Sequence, residues 1–327
     1  MLVRRNICEH LNRIAYIYNM RIVVYIILVL FSSVAFAQNE GLAKNYFEQG
    51  EYEKSISIYQ KLVARNPHRL DYTLALVKGH QQLENFNEAD KLLRERLASR
   101  QPLPQLYVEL GNNYTLQHLD SLAYREHNKA IAYIEENPNY AFPIGKAFES
   151  YSLLDEAVAT YERAMVLNPG LNFNIQLARI YGEQGNLEKM FNTYLNLVEQ
   201  NPSYRSIAQR NFSLYVTDDG DDDANVILRK SLLKRLQENP KILYNELLSW
   251  LFIQQKEYKK AFIQEKAIYR RDGEDLIGIV DLGFIAMNDN DYENAEAIFS
   301  FAIKNSLTPE ERLRNHKYLM QIKLEKA

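Results

Sequence analysis

One position recurs along this chain at a nearly fixed interval, mostly occupied by a small residue. Ser55, Ala89, Ala123, Ala157, Met190, Ala261 and Ala295 follow at steps of 34, 34, 34, 33, 71 and 34 residues, and 71 is close to two periods. A period of this length marks an array of small supersecondary units. Each unit buries its apolar face only against its neighbours, so the array presents an extended surface rather than a single enclosed pocket.

The first unit, residues 38–67, shows how the period is built. Leu42, Ala43 and Tyr46 set one apolar stripe at helical spacing. Gly50 falls where that helix must stop and turn. Tyr52, Ser55, Tyr59 and Leu62 form the stripe of a second helix, and Asn66-Pro67 closes it, because the residue before proline avoids the helical region. Related sets follow: Leu76 to Leu93, Tyr107 to Ala130, Ile144 to Pro169 and Leu177 to Pro202. Residues 203–240 read as a degenerate sixth unit with an acidic insert, and Tyr258, Ala261 and then Leu282 to Ala302 mark two more. Thr308-Pro309-Glu310-Glu311 opens a last helix to about Glu325, with threonine as cap, proline at the first turn and glutamate three residues on.

This pattern resembles the tetratricopeptide repeat, and the chain is similar to exported tetratricopeptide proteins of Bacteroidetes-type bacteria. The resemblance implies an all-α, right-handed α-solenoid of about eight helical hairpins plus a C-terminal helix. Its parts are a leader (1–37), repeats one to five (38–202), the degenerate repeat (203–240), and repeats seven and eight with the terminal helix (241–327).

The leader is read from its own residues. Arg21 precedes an apolar run from Ile22 to Phe31, and Ala35-Phe36-Ala37 stands before Gln38. A basic start, a short apolar stretch and a small-x-small end read as an export signal cleaved between Ala37 and Gln38, the alternative being an uncleaved membrane anchor. The protein is then periplasmic, outer-membrane-associated or secreted, with no membrane span after cleavage. Removal of residues 1–37 takes four arginines, one glutamate and the single cysteine, Cys8, leaving a formal charge of −6. That charge speaks against a nucleic-acid partner.

Catalytic signatures are missing. His68, His80, His118, His127 and His316 have no carboxylate at metal-ligand spacing, and His80 and His127 fall on packing positions. There is no nucleophile elbow and no phosphate-binding glycine loop, so the chain is expected to be no enzyme and to need no cofactor or metal. The run Asp218 to Asp223 departs from calcium-loop spacing and reads as a solvated connection. Asp120-Ser121-Leu122 resembles a short O-glycosylation acceptor, a pattern that three residues produce easily by chance.

Beside the small residue of each first helix lies one further periodic position. It holds Lys44, Lys78, Asn112, Lys146 and Arg179, then Trp250 and Phe284, with Ile253, Val280 and Met287 pointing the same way. First helices line the concave face of such arrays. The row therefore reads as a partner groove, cationic in one half for an acidic peptide or protein segment and apolar in the other. The bland alternative is a row of solvated lysines neutralised by Glu40, Asp71 and Glu149. Two functions follow: a non-enzymatic interaction scaffold of the cell envelope, or a structural module that only packs or positions another part of a larger exported protein.

Overall fold

The computed structural model describes residues 39–99, 103–272 and 275–326. The cleavage residues Ala35, Ala37 and Gln38 lie outside the described residues. The described chain is all helical and forms eight hairpins and a terminal helix. The first helices are α1 (39–48), α3 (Leu70–Gln82), α5 (Gln105–Thr115), α7 (Ala141–Ser150), α9 (Asn174–Glu183), α11 (Arg205–Phe212), α13 (Ile242–Gln254) and α15 (Ile277–Asn288). Their partners are α2 (Tyr52–Arg65), α4 (Phe86–Leu97), α6 (Asp120–Glu136), α8 (Leu154–Leu167), α10 (Leu187–Gln200), α12 (Asp223–Glu238), α14 (Tyr258–Asp272) and α16 (Tyr292–Asn305). The terminal helix is α17 (Pro309–Glu325).

The turns keep the sequence period by backbone geometry. Gly50, Glu84, His118, Ser152, Gly185, Lys256 and Asn290 all have positive φ, and their steps of 34, 34, 34, 33, 71 and 34 repeat those of the small residues. The next residue in each turn donates its N–H five residues back, as Glu51 does to Tyr46 (2.8 Å) and Leu153 to Phe148 (3.0 Å). This left-handed closure satisfies carbonyls that the helix end leaves open. Gly50 and Gly185 suit it, whereas the other five positions hold side chains in a conformation that L-residues adopt at a cost.

In six of the eight hairpins a residue no larger than valine on the first helix receives a larger one sixteen places later. The pairs are Ala43 and Tyr59, Val77 and Leu93, Gly111 and His127, Gly145 and Tyr161, Ala178 and Tyr194, and Gly283 and Phe299. A Cβ added at Gly111, Gly145 or Gly283 would lie 2.1, 2.3 or 2.9 Å from the facing ring. Glycine or alanine therefore lets the two helices close, and the ring fills the seam. Each buried ring or aliphatic group is worth about 1.5–3 kcal/mol.

The described residues fall into two compact units, the first ending at Pro169 and the second starting at Gly170. Within each, every hairpin packs on the next. In the second unit the sixth hairpin carries its acidic insert as a loop between α11 and α12. Asp222 caps α12 through Ala224 N–H (3.0 Å), Asp219 Oδ1 accepts from Asp221 N–H (2.9 Å), and Arg229 donates to the Gly220 carbonyl (2.9 Å). The run serves as a connection with capping roles. The expected capping box opens α17: Thr308 Oγ1 accepts from Glu311 N–H at 3.1 Å while the Glu311 carboxylate accepts from Thr308 N–H at 3.4 Å.

These turns can be tuned singly. Gly50→Ala is expected to lose about 1 kcal/mol, because its Cβ has open space and only the backbone is strained. Ser152→Gly is expected to change stability by no more than about 1 kcal/mol, upward where relief of strain exceeds the added chain entropy. Urea midpoints of the two variants check both.

Candidate functional site

The periodic row on the first helices divides between the units. In the first unit, Lys44, Lys78 and Lys146 are exposed and Asn112 is half-buried. Lys44 pairs with Glu48 (3.8 Å) and Lys146 with Glu149 (2.7 Å) on their own helices. Lys78 lies within electrostatic reach of Glu109, a buried carboxyl on α5 that accepts a hydrogen bond from the Tyr151 hydroxyl. Burial pushes Glu109 above the usual carboxylate range, against the opposing pull of Tyr151 and Lys78. In the second unit Arg179 pairs with Glu183 (2.5 Å). Cations and carboxylates are thus interleaved along these helices, and exposed pairs of this kind contribute about 0–1 kcal/mol each.

The apolar positions lie entirely in the second unit, and the structure brings four of them to two neighbouring clefts. The larger, about 400 Å³, lies between α11, α13 and the start of α15, with α14 beneath. Trp250 and Ile253 line it, together with Ile268, Tyr269, Ile277 and Ile279. Trp250 is half-buried, its ring tilted against Phe212 at 6.2 Å, and Ile277 is 64% exposed. The smaller cleft, about 230 Å³, is lined by Val280 and Phe284 of α15 and by Tyr318 of α17, and it shares Asp275 and Ile277 with the first. Phe284 packs edge-on against Tyr318 (4.4 Å) and Phe299 (5.5 Å). Met287 is half-buried and lines neither cleft.

The polar lining of the larger cleft consists of Arg205, Gln209, Glu246, Ser249, Glu265, Asp275 and Gly278. Arg205 is held by Glu246 at 2.8 Å. Ser249 donates to Glu265 at 2.5 Å. Burial raises Glu265 above the usual carboxylate range, and the charges of Glu246 and Asp281 push the same way, while Ser249 and Arg205 oppose them. Gly278 gives the carboxylate room, since a Cβ there would lie 2.4 Å from Glu265 Oε2. Glu265 was not among the expected site residues. Its signal was present in the period: Ser249 and Glu265 are sixteen apart, where the other pairs carry Tyr, Leu, His or Phe at the second place.

A further cleft of about 570 Å³ lies between α10 and α12, on the second helices. Of its cations, Arg235 meets Glu199 (3.3 Å), Asn192 Oδ1 (3.1 Å) and Asn196 Oδ1 (2.7 Å), while Lys230 and Lys234 also line it; the adjoining Lys241 meets Glu199 (2.5 Å). His127 is buried beside Phe148 (5.4 Å), and burial lowers its pKa, as it does for His80. Among the described residues no group of three His, Cys, Asp or Glu is placed to hold a metal ion. No described helix is long and apolar enough to cross a membrane.

A family model of the tetratricopeptide repeat matches residues 41–68, the first hairpin. Human protein O-mannosyl-transferase TMTC1 is 27% identical over 128 residues, 38% of this chain and 14% of that protein. Cellulose synthase operon protein C of Pseudomonas fluorescens (strain SBW25) is 29% identical over 171 residues, 50% of this chain and 11% of that protein. The chain thus spans less than a sixth of either relative. The solved C-terminal part of a tetratricopeptide protein from Cytophaga hutchinsonii is 15% identical, with a TM-score of 0.29 over 73% of this chain and 98% of that one. A score this low leaves the repeat assignment to the matched segment and to the hairpins themselves.

The raised carboxyl at Glu265 has a consequence for stability. A carboxyl with a higher pKa in the folded than in the unfolded state binds its proton more tightly when folded, so stability falls as pH rises from the unfolded pKa through the folded one. Glu265→Gln keeps an acceptor for Ser249 and removes the ionisation. Urea midpoints at about pH 4 and about pH 7 are expected to fall less between the two for Glu265→Gln than for the wild type.

Proposed function

We propose that this tetratricopeptide-repeat protein is a non-enzymatic interaction scaffold of the cell envelope, holding a segment of another protein on its first-helix face. The observation that carries the reading is the pair of adjoining clefts along α13 and α15, where Trp250, Ile253, Ile277, Val280 and Phe284 line space open to a partner. Apolar side chains gathered in a cleft, with a few polar groups to fix orientation, are what a peptide anchor requires. Export is inferred from the apolar run Ile22 to Phe31 and the Ala35-Phe36-Ala37 end.

An acidic partner segment would meet Lys44, Lys78 and Lys146 in the first unit and Arg179 in the second. Lys44, Lys146 and Arg179 would have to exchange carboxylates of their own helices for those of the partner, and little net energy is gained in such an exchange at exposed sites. The apolar clefts therefore supply most of the affinity. The second reading is a module that only packs or positions another part of a larger exported protein. It is favoured by the small share of both curated relatives that the chain spans.

The test is capture of partners from the cell envelope by the full chain, its Trp250→Ala variant, and a variant with Lys44, Lys78, Lys146 and Arg179 changed to Glu. Trp250→Ala is expected to weaken capture about tenfold or more, the loss typical of a central aromatic anchor. The charge-reversed variant is expected to retain the partner with modest weakening. Equal capture by wild type and Trp250→Ala would remove the cleft from the account. Capture lost only on charge reversal would move the site to the cationic row, and no partner for any form would leave the structural-module reading.

A further inference from the structure

The seventh hairpin breaks the packing rule of the array at one point. Tyr59, Leu93, His127, Tyr161, Tyr194 and Phe299 occupy the second place of the small–large pair, and all six are buried. The seventh hairpin places Glu265 there, opposite Ser249. An aromatic ring would close that seam. The carboxylate leaves a cleft of about 400 Å³, with Trp250, Ile253 and Ile277 around it. Nothing in the repeat requires an acid at this position, and burying one is costly.

The cleft lining carries one cation, Arg205, and three carboxylates, Glu246, Glu265 and Asp275. Arg205 is neutralised by Glu246 at 2.8 Å. Glu265 and Asp275 remain in the lining, with Asp281 within electrostatic reach of Glu265. Among the described residues the Ser249 hydroxyl is the one hydrogen-bond donor to Glu265, and it serves Oε1. Asp275 spends one oxygen on capping Ile277 N–H at 2.7 Å. A partly buried carboxylate with acceptor capacity left over, walled by apolar side chains, is complementary to a cation carried on an apolar stem.

We infer that this cleft recognises a partner segment bearing a lysine or arginine beside an aliphatic or aromatic residue, with Glu265 as the residue that selects the cation. The inference rests on the reading of the cleft as a partner seat and adds the chemistry of what is seated: a basic and apolar segment, opposite in sign to the one expected from the lysine row. Trp250 and Ile277 flank the apolar anchor, and Ser249 orients the carboxylate.

The probe is a display library of random linear peptides selected on the full chain, on Glu265→Gln, on Trp250→Ala and on the double variant Ser249→Gly with Glu265→Tyr. The double variant restores the Gly145–Tyr161 pairing of the fourth hairpin at this site. Wild type is expected to enrich peptides with Lys or Arg next to an apolar residue. Glu265→Gln is expected to lose the preference for the cation, keep the apolar anchor, and bind the selected peptides about tenfold more weakly, the scale of one charge-assisted hydrogen bond. The double variant is expected to melt no lower than wild type, with the same helical circular dichroism, and to select none of these peptides. Cationic enrichment unchanged in Glu265→Gln, or retained by the double variant, overturns the role of Glu265. Enrichment of acidic peptides that Trp250→Ala abolishes overturns the sign while leaving the cleft as a partner seat. Enrichment indifferent to Trp250→Ala, or none at all, overturns the inference together with the proposed function.

Discussion

The structure depends on one steric relation, a small residue on the first helix of a hairpin facing a large residue sixteen places later on the second. Gly145 and Tyr161 show its strictness. A methyl at Gly145 would sit 2.3 Å from the ring, and Tyr161 is fully buried with its hydroxyl donating to Glu149 at 2.8 Å. The relation fixes how closely two helices approach and which side chain fills the seam between them. Repeated along each unit, it converts a sequence period into stacked hairpins. The left-handed turns at Gly50, Glu84, His118 and Ser152 keep the same period, so packing and backbone impose one register.

Much of this was legible in the sequence because period and packing are the same quantity. The recurrence from Ser55 to Ala295 located seven hairpins and its double step of 71 the remaining one, and Thr308-Pro309 with Glu311 located the last helix and its capping box. The left-handed turns at Glu84, His118, Ser152, Lys256 and Asn290 were not legible. No glycine marks them. The candidate site was legible in part. Trp250, Ile253 and Phe284 line clefts, whereas Lys44 and Lys146 pair with carboxylates of their own helices, a pairing that depends on rotamers as well as spacing. Glu265 escaped a search for histidine and carboxylate motifs. It carries meaning only as a departure from the pair register.

In the proposed reading, that departure connects packing to function. A residue that lowers the quality of a seam in an otherwise regular array fits, in that reading, a site where stability is given up for recognition. The seventh hairpin gives up an aromatic plug and gains an acidic, partly apolar cleft beside Trp250. In the cleft between α10 and α12, by contrast, Glu199 is met by Arg235 and Lys241.

The central claim is a location, the first-helix face of the second unit around Trp250 and Ile277. Hydrogen–deuterium exchange of the full chain, free and saturated with its captured partner, tests it most directly. The account predicts protection concentrated in the C-terminal half of α13 and the start of α15, with α10 and α12 unchanged. Protection confined to α10 and α12, or to the lysine-bearing helices α1, α3 and α7, would contradict it.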